Sequence, residues 1–383
     1  MPISRLQIGN VAELCSLYDP LIIGITSTTA NYHEAMQLAE VVKQVCPESM
    51  ICYGGPHTTF AGEKVLEECD AFDVVVRGEG EYTTLELLEC IHNCSPISRV
   101  AGITYRKGTI TLRNKNRDLA RNLDVFPLPA RHLLPMRQYR KISERTSIIT
   151  SRGCLFGCCF CATSCFWRHT YRRRSAESVS EEAQLIRRNY GFSILTFVDD
   201  LFLLDERTMK IFEHLRKDQV EVKWSCSTRI DLVSRASLRA ASKAGCIGIT
   251  FGMESGVQAT LDALKKGITI EHARRVVAWC KEFSIRVKLN FIFGLPEEDK
   301  RDFESTKRLI EELNPDFVTV SGIQLLPGTD LTLQQLEQQR SSDADRFNNA
   351  VEKLSLSRED IDKELEACYA ELSRKGIKRL NGW

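Results

Sequence analysis

Five cysteines, at positions 154, 158, 159, 161 and 165, crowd the stretch TSRGCLFGCCFCATSCFWRHTYRRRS, residues 150–175. Cys154, Cys158 and Cys161 follow the spacing C-x3-C-x2-C, which lets a single loop wrap its thiolates around a soft metal centre. A structural zinc site takes four ligands, usually from two paired knuckles. No second knuckle accompanies this one: Cys90 and Cys94 lie on a predicted helix far upstream, and Cys226, Cys246 and Cys280 are isolated. Three thiolates on a four-iron cluster would leave one iron open to a cofactor or substrate. Cys165 is the alternative fourth ligand, and its use would close the site.

Other polar groups recur downstream in a fixed context. Asp199 and Asp200 end FVDD and Arg229 sits in STRID. Gly252, Glu254 and Ser255 belong to FGMESG, and Gly294 and Pro296 to FIFGLPEED. Each motif closes an apolar run that reads as a strand: TSIITSRG, SILTFVDD, VKWSCSTR, IGITFGMES, RVKLNFIFGLP and DFVTVSGIQLLPG. Amphipathic stretches such as AESVSEEAQLIRRNY, DERTMKIFEHLRK and TIEHARRVVAWCKEF separate them. Six β-then-α units predict a partial (β/α)6 barrel of TIM type over 146–332, whose chemistry gathers at the carboxyl ends of the strands.

Upstream, residues 21–92 repeat a strand and a helix three times: PLIIGIT, SMICYGG and FDVVVRGEG each lead into a helical segment. Apolar strands alternating with helices predict a parallel sheet covered on both faces, a partial Rossmann-like domain over 1–97. Its glycine-rich turns include Gly54, Gly55, Pro56 and His57, at a strand end where open α/β sheets bind ligands. Residues 98–145 read as a connecting segment. They hold a hairpin around Lys107-Gly108 and then FPLPARHLLP, too proline-rich for a helix or central strand. Residues 333–383 read as a polar helical tail.

The chain of 383 residues is long enough for two domains. Lys and Arg number 52 against 51 Asp and Glu, so a nucleic-acid partner has no global electrostatic support. The start, MPISRLQIGNVAELCSLYDP, has no basic segment leading into an apolar core, and no apolar run approaches the ~20 residues that span a bilayer. The expectation is a cytoplasmic protein with 15 mostly reduced cysteines.

SRGCLFGCCFC resembles the cluster loop of the radical S-adenosylmethionine (SAM) enzymes, C-x3-C-x-aromatic-C, with Phe160 at the aromatic position. The resemblance covers roughly 146–332. It implies a [4Fe–4S] cluster on Cys154, Cys158 and Cys161, S-adenosylmethionine on the fourth iron, and an external electron donor such as flavodoxin or ferredoxin. It leaves Cys159 and Cys165 as bystanders. It places Asp199 or Asp200 near the cofactor's amino group, Arg229 at a carboxylate, Gly252, Glu254 and Ser255 at the ribose or methionine, and Gly294 and Pro296 beside the adenine. The N-terminal domain with its FPLPAR linker resembles the cobalamin-binding domain of one large subfamily, which implies cobalamin near Gly54, Gly55, Pro56 and His57. That domain normally begins with two further strands and a helix, and D-x-H-x-x-G is missing. The reaction implied is C-methylation of a small-molecule or peptide substrate. Cobalamin-independent cyclisation, rearrangement or desaturation, or a non-catalytic iron–sulfur redox sensor, are the alternatives. The basic run RHTYRRR reads as the rim of an anionic site, with no nucleic-acid or membrane partner.

Overall fold

The computed structural model describes residues 8–295, 298–338, 358–374 and 377–379. It separates into two compact units, Met1–Arg121 with Leu326–Gly328, and Asn122–Leu325 with Thr329–Trp383.

The first unit is built on β1 (Ile22–Thr26), β2 (Met50–Gly54), β3 (Val74–Val76), β4 (Ile103–Lys107) and β5 (Ile110–Arg113), in that spatial order. The first three are parallel, as the apolar strand–helix alternation predicts. β4 and β5 are antiparallel, so the hairpin expected in the connecting segment belongs to the first sheet. The reason is burial: Ile103 and Tyr105 pack on Val74 and Val76, whose all-valine strand would otherwise be an exposed edge. Helices Tyr32–Val45 and Pro56–Glu68 bury Ala39, Val42, Val65 and Leu66 with Tyr53 and Phe72 on one face, while Leu87 of helix Glu81–His92 seals the other. The segment before β1 forms a helix, Ile8–Tyr18, and among the described residues β1 has β2 as its sole strand neighbour.

The second unit opens with β6 (Arg145–Ile148) and an antiparallel ribbon of β7 (Ser151–Gly153) and β8 (Tyr171–Arg173). β9 (Ile194–Phe197), β10 (Lys223–Thr228), β11 (Cys246–Glu254), β12 (Arg286–Phe293), β13 (Phe317–Gly322) and β14 (Lys378–Arg379) complete it. The order β14-β13-β12-β11-β10-β9-β6 is parallel throughout. Alternation decides which side chains go where. Leu195, Phe197, Trp224, Phe251, Leu289 and Phe291 fill the layer under the helices, with Trp224 stacked on Phe212 at 4.6 Å and its Nε1 donating to the Ala244 carbonyl at 2.8 Å. The opposite face is polar: Thr196 and Ser225 share a hydrogen bond at 3.3 Å, and Thr250, Lys288, Asn290 and Thr319 continue across neighbouring registers. Helix starts follow the sequence signals, Ser175, Asp205 and Thr269 each accepting from a first-turn N–H, and Asp299 and Asp302 forming a capping box.

The tail is helical over Arg358–Arg374, as expected, and then adds β14 alongside β13. Tyr369 fixes it there, its hydroxyl donating to the Val320 carbonyl at 2.7 Å and accepting from Val320 N–H at 2.6 Å.

Candidate functional site

The cysteine loop leaves β6 and is tied at its base by the β7–β8 ribbon, Gly153 opposite Tyr171. Gly153 has φ +103, and a Cβ there would overlap the Thr170 carbonyl, so the ribbon can close only on glycine. Both acids of FVDD bind this loop. Asp199 Oδ1 accepts from Thr150 N–H at 2.8 Å, from the Ser151 hydroxyl at 2.6 Å and from Ser151 N–H. Asp200 Oδ2 accepts from Gly153 N–H at 3.1 Å. The sequence placed this pair near a cofactor amino group; in the structure the bonds of both carboxylates go to loop backbone and Ser151. Burial outweighs Asp199's hydrogen bonds and pushes its carboxyl up to about 6.

Cys154, Cys158 and Cys161 are all partly buried. Burial raises the first two thiols; Cys161 and Cys158 add to the rise at Cys154, while Lys266 and Arg229 pull Cys158 down. Among the described residues no three His, Cys, Asp or Glu side chains converge as ligands of one ion. The cations beside Cys158 favour its thiolate, the form that ligates a soft metal. Cys159 turns into the core at 7% exposure, its thiol near the Ala263 carbonyl at 3.9 Å. Cys165 lies on the short helix Ala162–Phe166 behind Cys161, whose charge and burial both raise its thiol, burial more.

Arg229 meets a carboxylate, but that of its own motif. Its Nε donates to Asp231 Oδ1 at 3.0 Å and its Nη2 to Oδ2 at 2.9 Å, with a further bond to the Lys266 carbonyl. Nη1 lies 3.4 Å from Cys158 Sγ, and the guanidinium stacks 3.7 Å above the Phe156 ring. The bidentate face expected to take a ligand is filled by Asp231.

Glu254 ends β11 at φ +66, and its carboxylate folds over Gly252, where any Cβ would collide with it. It pairs with Lys266 Nζ at 2.7 Å, both side chains buried. Lys266 Nζ is 5.9 Å from the Phe160 ring, which packs on the edge of the core. Ser255 is fully buried, its hydroxyl donating toward Glu298 Oε1 at 3.5 Å. Glu298 also accepts from Leu295 N–H at 2.9 Å, and burial pushes it up to about 7. Gly294, at φ +80, lies against Ile361 of the tail helix. Pro296 lies outside the described residues. Lys266, which no motif flags, thus links Arg229 through its carbonyl and Glu254 through its Nζ to Phe160 of the cysteine loop. Asp231, two positions after Arg229, was legible as an ion-pair partner.

In the first unit, Gly55 turns at φ +117 between β2 and its helix, where a Cβ would strike the Ser27 carbonyl. Pro56 begins the helix that follows Gly54. His57 is buried, near Thr29 Oγ1 at 3.2 Å and stacked on Tyr32 at 4.3 Å; burial lowers its pKa. The glycine turn packs against the backbone at the carboxyl end of β1, on the side of the sheet where open α/β folds hold ligands.

A cavity of about 670 Å³ lies within the second unit beside β6 and β9, lined by Phe126, Met136, Tyr139, Ile149, Arg152 and Val198 among others. Among the described residues no helix is long and apolar enough to cross a membrane.

A parallel β/α sheet with a three-thiol loop after its first strand defines a radical SAM fold. The Radical SAM superfamily matches residues 148–310 and the B12 binding domain matches 9–88. With a 31% identical relative covering 85% of it, the chain belongs to the radical SAM superfamily. Membership implies a [4Fe–4S] cluster and S-adenosylmethionine, and the B12 binding domain makes cobalamin a possible third cofactor. That relative is an uncharacterized methyltransferase of Pyrococcus horikoshii, matched over 72% of its length. The anaerobic magnesium-protoporphyrin IX monomethyl ester cyclase of Rubrivivax gelatinosus is 28% identical over 88% of this chain and 62% of its own. Among solved structures, the radical SAM methyltransferase TsrM of Kitasatospora setae, with cobalamin and a [4Fe–4S] cluster bound, superposes with a TM-score of 0.74 at 16% identity, over 86% of this chain and 70% of that one.

Proposed function

We propose that the chain is a cobalamin-dependent radical SAM C-methyltransferase acting on a small-molecule or peptide substrate. The observation that carries this reading is the thiol trio of Cys154, Cys158 and Cys161 set against Arg229 and Lys266 in a chain that also matches the B12 binding domain. In this reading those three cysteines hold the cluster, and Cys159 and Cys165 do not. When bound, the cluster and S-adenosylmethionine supply a hydrogen-abstracting 5′-deoxyadenosyl radical, and cobalamin supplies the methyl group. The chain's residues bind and orient. Asp199 and Asp200 fix the loop backbone, and Arg229 places an N–H against Cys158. The Glu254–Lys266 pair lies where the ribose or methionine part is expected, and the Gly54-Gly55 turn offers the cobalamin cradle. An external one-electron donor completes the system.

Anaerobic reconstitution tests this. Wild type should take up about four irons per chain, and with a strong reductant should release both 5′-deoxyadenosine and S-adenosylhomocysteine. Cys158→Ala should abolish both products; an undiminished cluster in that variant refutes the ligand assignment. The cyclase relative supports a second reading, radical chemistry without methyl transfer. Deoxyadenosine without S-adenosylhomocysteine would select it.

A further inference from the structure

The inner face of the barrel sheet holds an ammonium group that no described residue answers. Lys288 is the third residue of the eight-residue β12 and is 7% exposed. Its neighbours Val287 and Leu289 enter the helix-covered core, so alternation turns Lys288 to the inner face. No hydrogen bond or ion pair reaches it among the described residues, and burial alone depresses its pKa, with no acid opposing. The flanking strands present Thr250 and Phe317 in register with Lys288. Over β6 and β9–β13 the one acid is Glu254, and Lys266 already holds it. Arg145 and Arg286 bring two more cations to the same face, and Arg286 adds to burial in depressing Arg145. A buried charge left uncompensated is costly, and among the described residues Lys288 has no counter-ion, so a bound anion would relieve that cost.

We propose that this lumen receives the anionic head of the substrate, a carboxylate or a phosphate-type group, on Lys288. The proposal rests on the radical SAM reading, which puts the reacting atoms at the level of Glu254. Glu254 is in register with Phe291, three residues beyond Lys288; at ~3.3 Å per residue the head lies about 10 Å below that level. The substrate is therefore an acid whose reacting carbon is about that far from its charged group. The same unit holds an apolar cavity whose lining includes Arg145 of the inner face but not Lys288. The 670 Å³ cavity runs along Ile149 and Val198, apolar side chains left 48% and 49% exposed at the ends of β6 and β9. Its volume suits a molecule of drug size.

Octanoate and octyl phosphate, with neutral octanol as control, probe the lumen directly by calorimetric titration of wild type, Lys288→Met and Lys288→Arg. Removing an uncompensated buried charge should not harm folding, and the arginine variant keeps the charge. At least one of the two acids should bind wild type tenfold or more tightly than Lys288→Met, with Lys288→Arg retaining the binding and octanol not discriminating. S-adenosylmethionine should bind all three reconstituted proteins alike. Equal binding of the acids by wild type and Lys288→Met, or no acid binding to wild type, overturns the proposal. So does a tenfold loss of S-adenosylmethionine affinity in Lys288→Met with acid binding unchanged, since the ammonium would then serve the cofactor. The acid titrations need no cluster and are repeated before reconstitution. Lys288-dependent acid binding in a chain that takes up no iron would refute the radical reading and leave the lumen site standing.

Discussion

Replacing Lys266 by methionine leaves the Glu254 carboxylate buried with no cation. Glu254 cannot swing out to water: its backbone sits at φ +66, its side chain folds across Gly252, and only 9% of it is exposed. Breaking a buried pair on one side costs about 3–5 kcal/mol, because the remaining charge stays desolvated. For a unit of this size about 2–4 °C accompanies each kcal/mol, so the barrel transition should fall by roughly 6–20 °C in scanning calorimetry. The double variant Glu254→Gln/Lys266→Met removes both charges and should return to within about 1 kcal/mol of wild type, since neutralised pairs are often close to neutral in stability. Lys266 also pulls the Cys158 thiol down, so the single variant should alkylate more slowly at that cysteine at neutral pH. A single variant within about 1 kcal/mol of wild type, the range of an exposed pair, would refute this account. So would a double variant no better than the single.

Gly153→Ala forces a side chain onto the Thr170 carbonyl at φ +103 and should open the β7–β8 ribbon, costing about 2–3 kcal/mol; bound iron after reconstitution should fall with it, and full iron uptake would argue against a closed ribbon being needed. Glu298, raised by burial to about 7, holds a proton in the native state that the unfolded chain releases near its usual value. Stability should therefore fall as pH rises from about 4.5 to 7, by roughly 3 kcal/mol at 1.36 kcal/mol per unit. Glu298→Gln should flatten that slope in urea titrations, leaving the smaller contribution of the same sign from Asp199. Trp224→Ala empties the centre of the barrel core and should cost about 3–5 kcal/mol, read as a lower urea midpoint.

By itself the sequence determined the barrel strands, the thiol spacing and the strand-end position of each polar motif, because period-2 apolar runs and turn residues act locally. Helix starts have local causes too: Ser175, Asp205 and Asp299 each cap a first turn through their own side chain. Only the tertiary structure decided partners. The resemblance puts Asp199 or Asp200 near a cofactor amino group, and it is the fold that ties both carboxylates to a loop some fifty residues earlier. It puts Arg229 at a carboxylate, and the fold supplies that of Asp231. The hairpin after residue 98 read as a connector, yet joins the first sheet because β3 needs its edge covered. Lys266 and Lys288 carry no local signal at all. One is matched by Glu254 and the other by no described residue, a difference set by which side chains the sheet brings opposite each ammonium group and how far it excludes water.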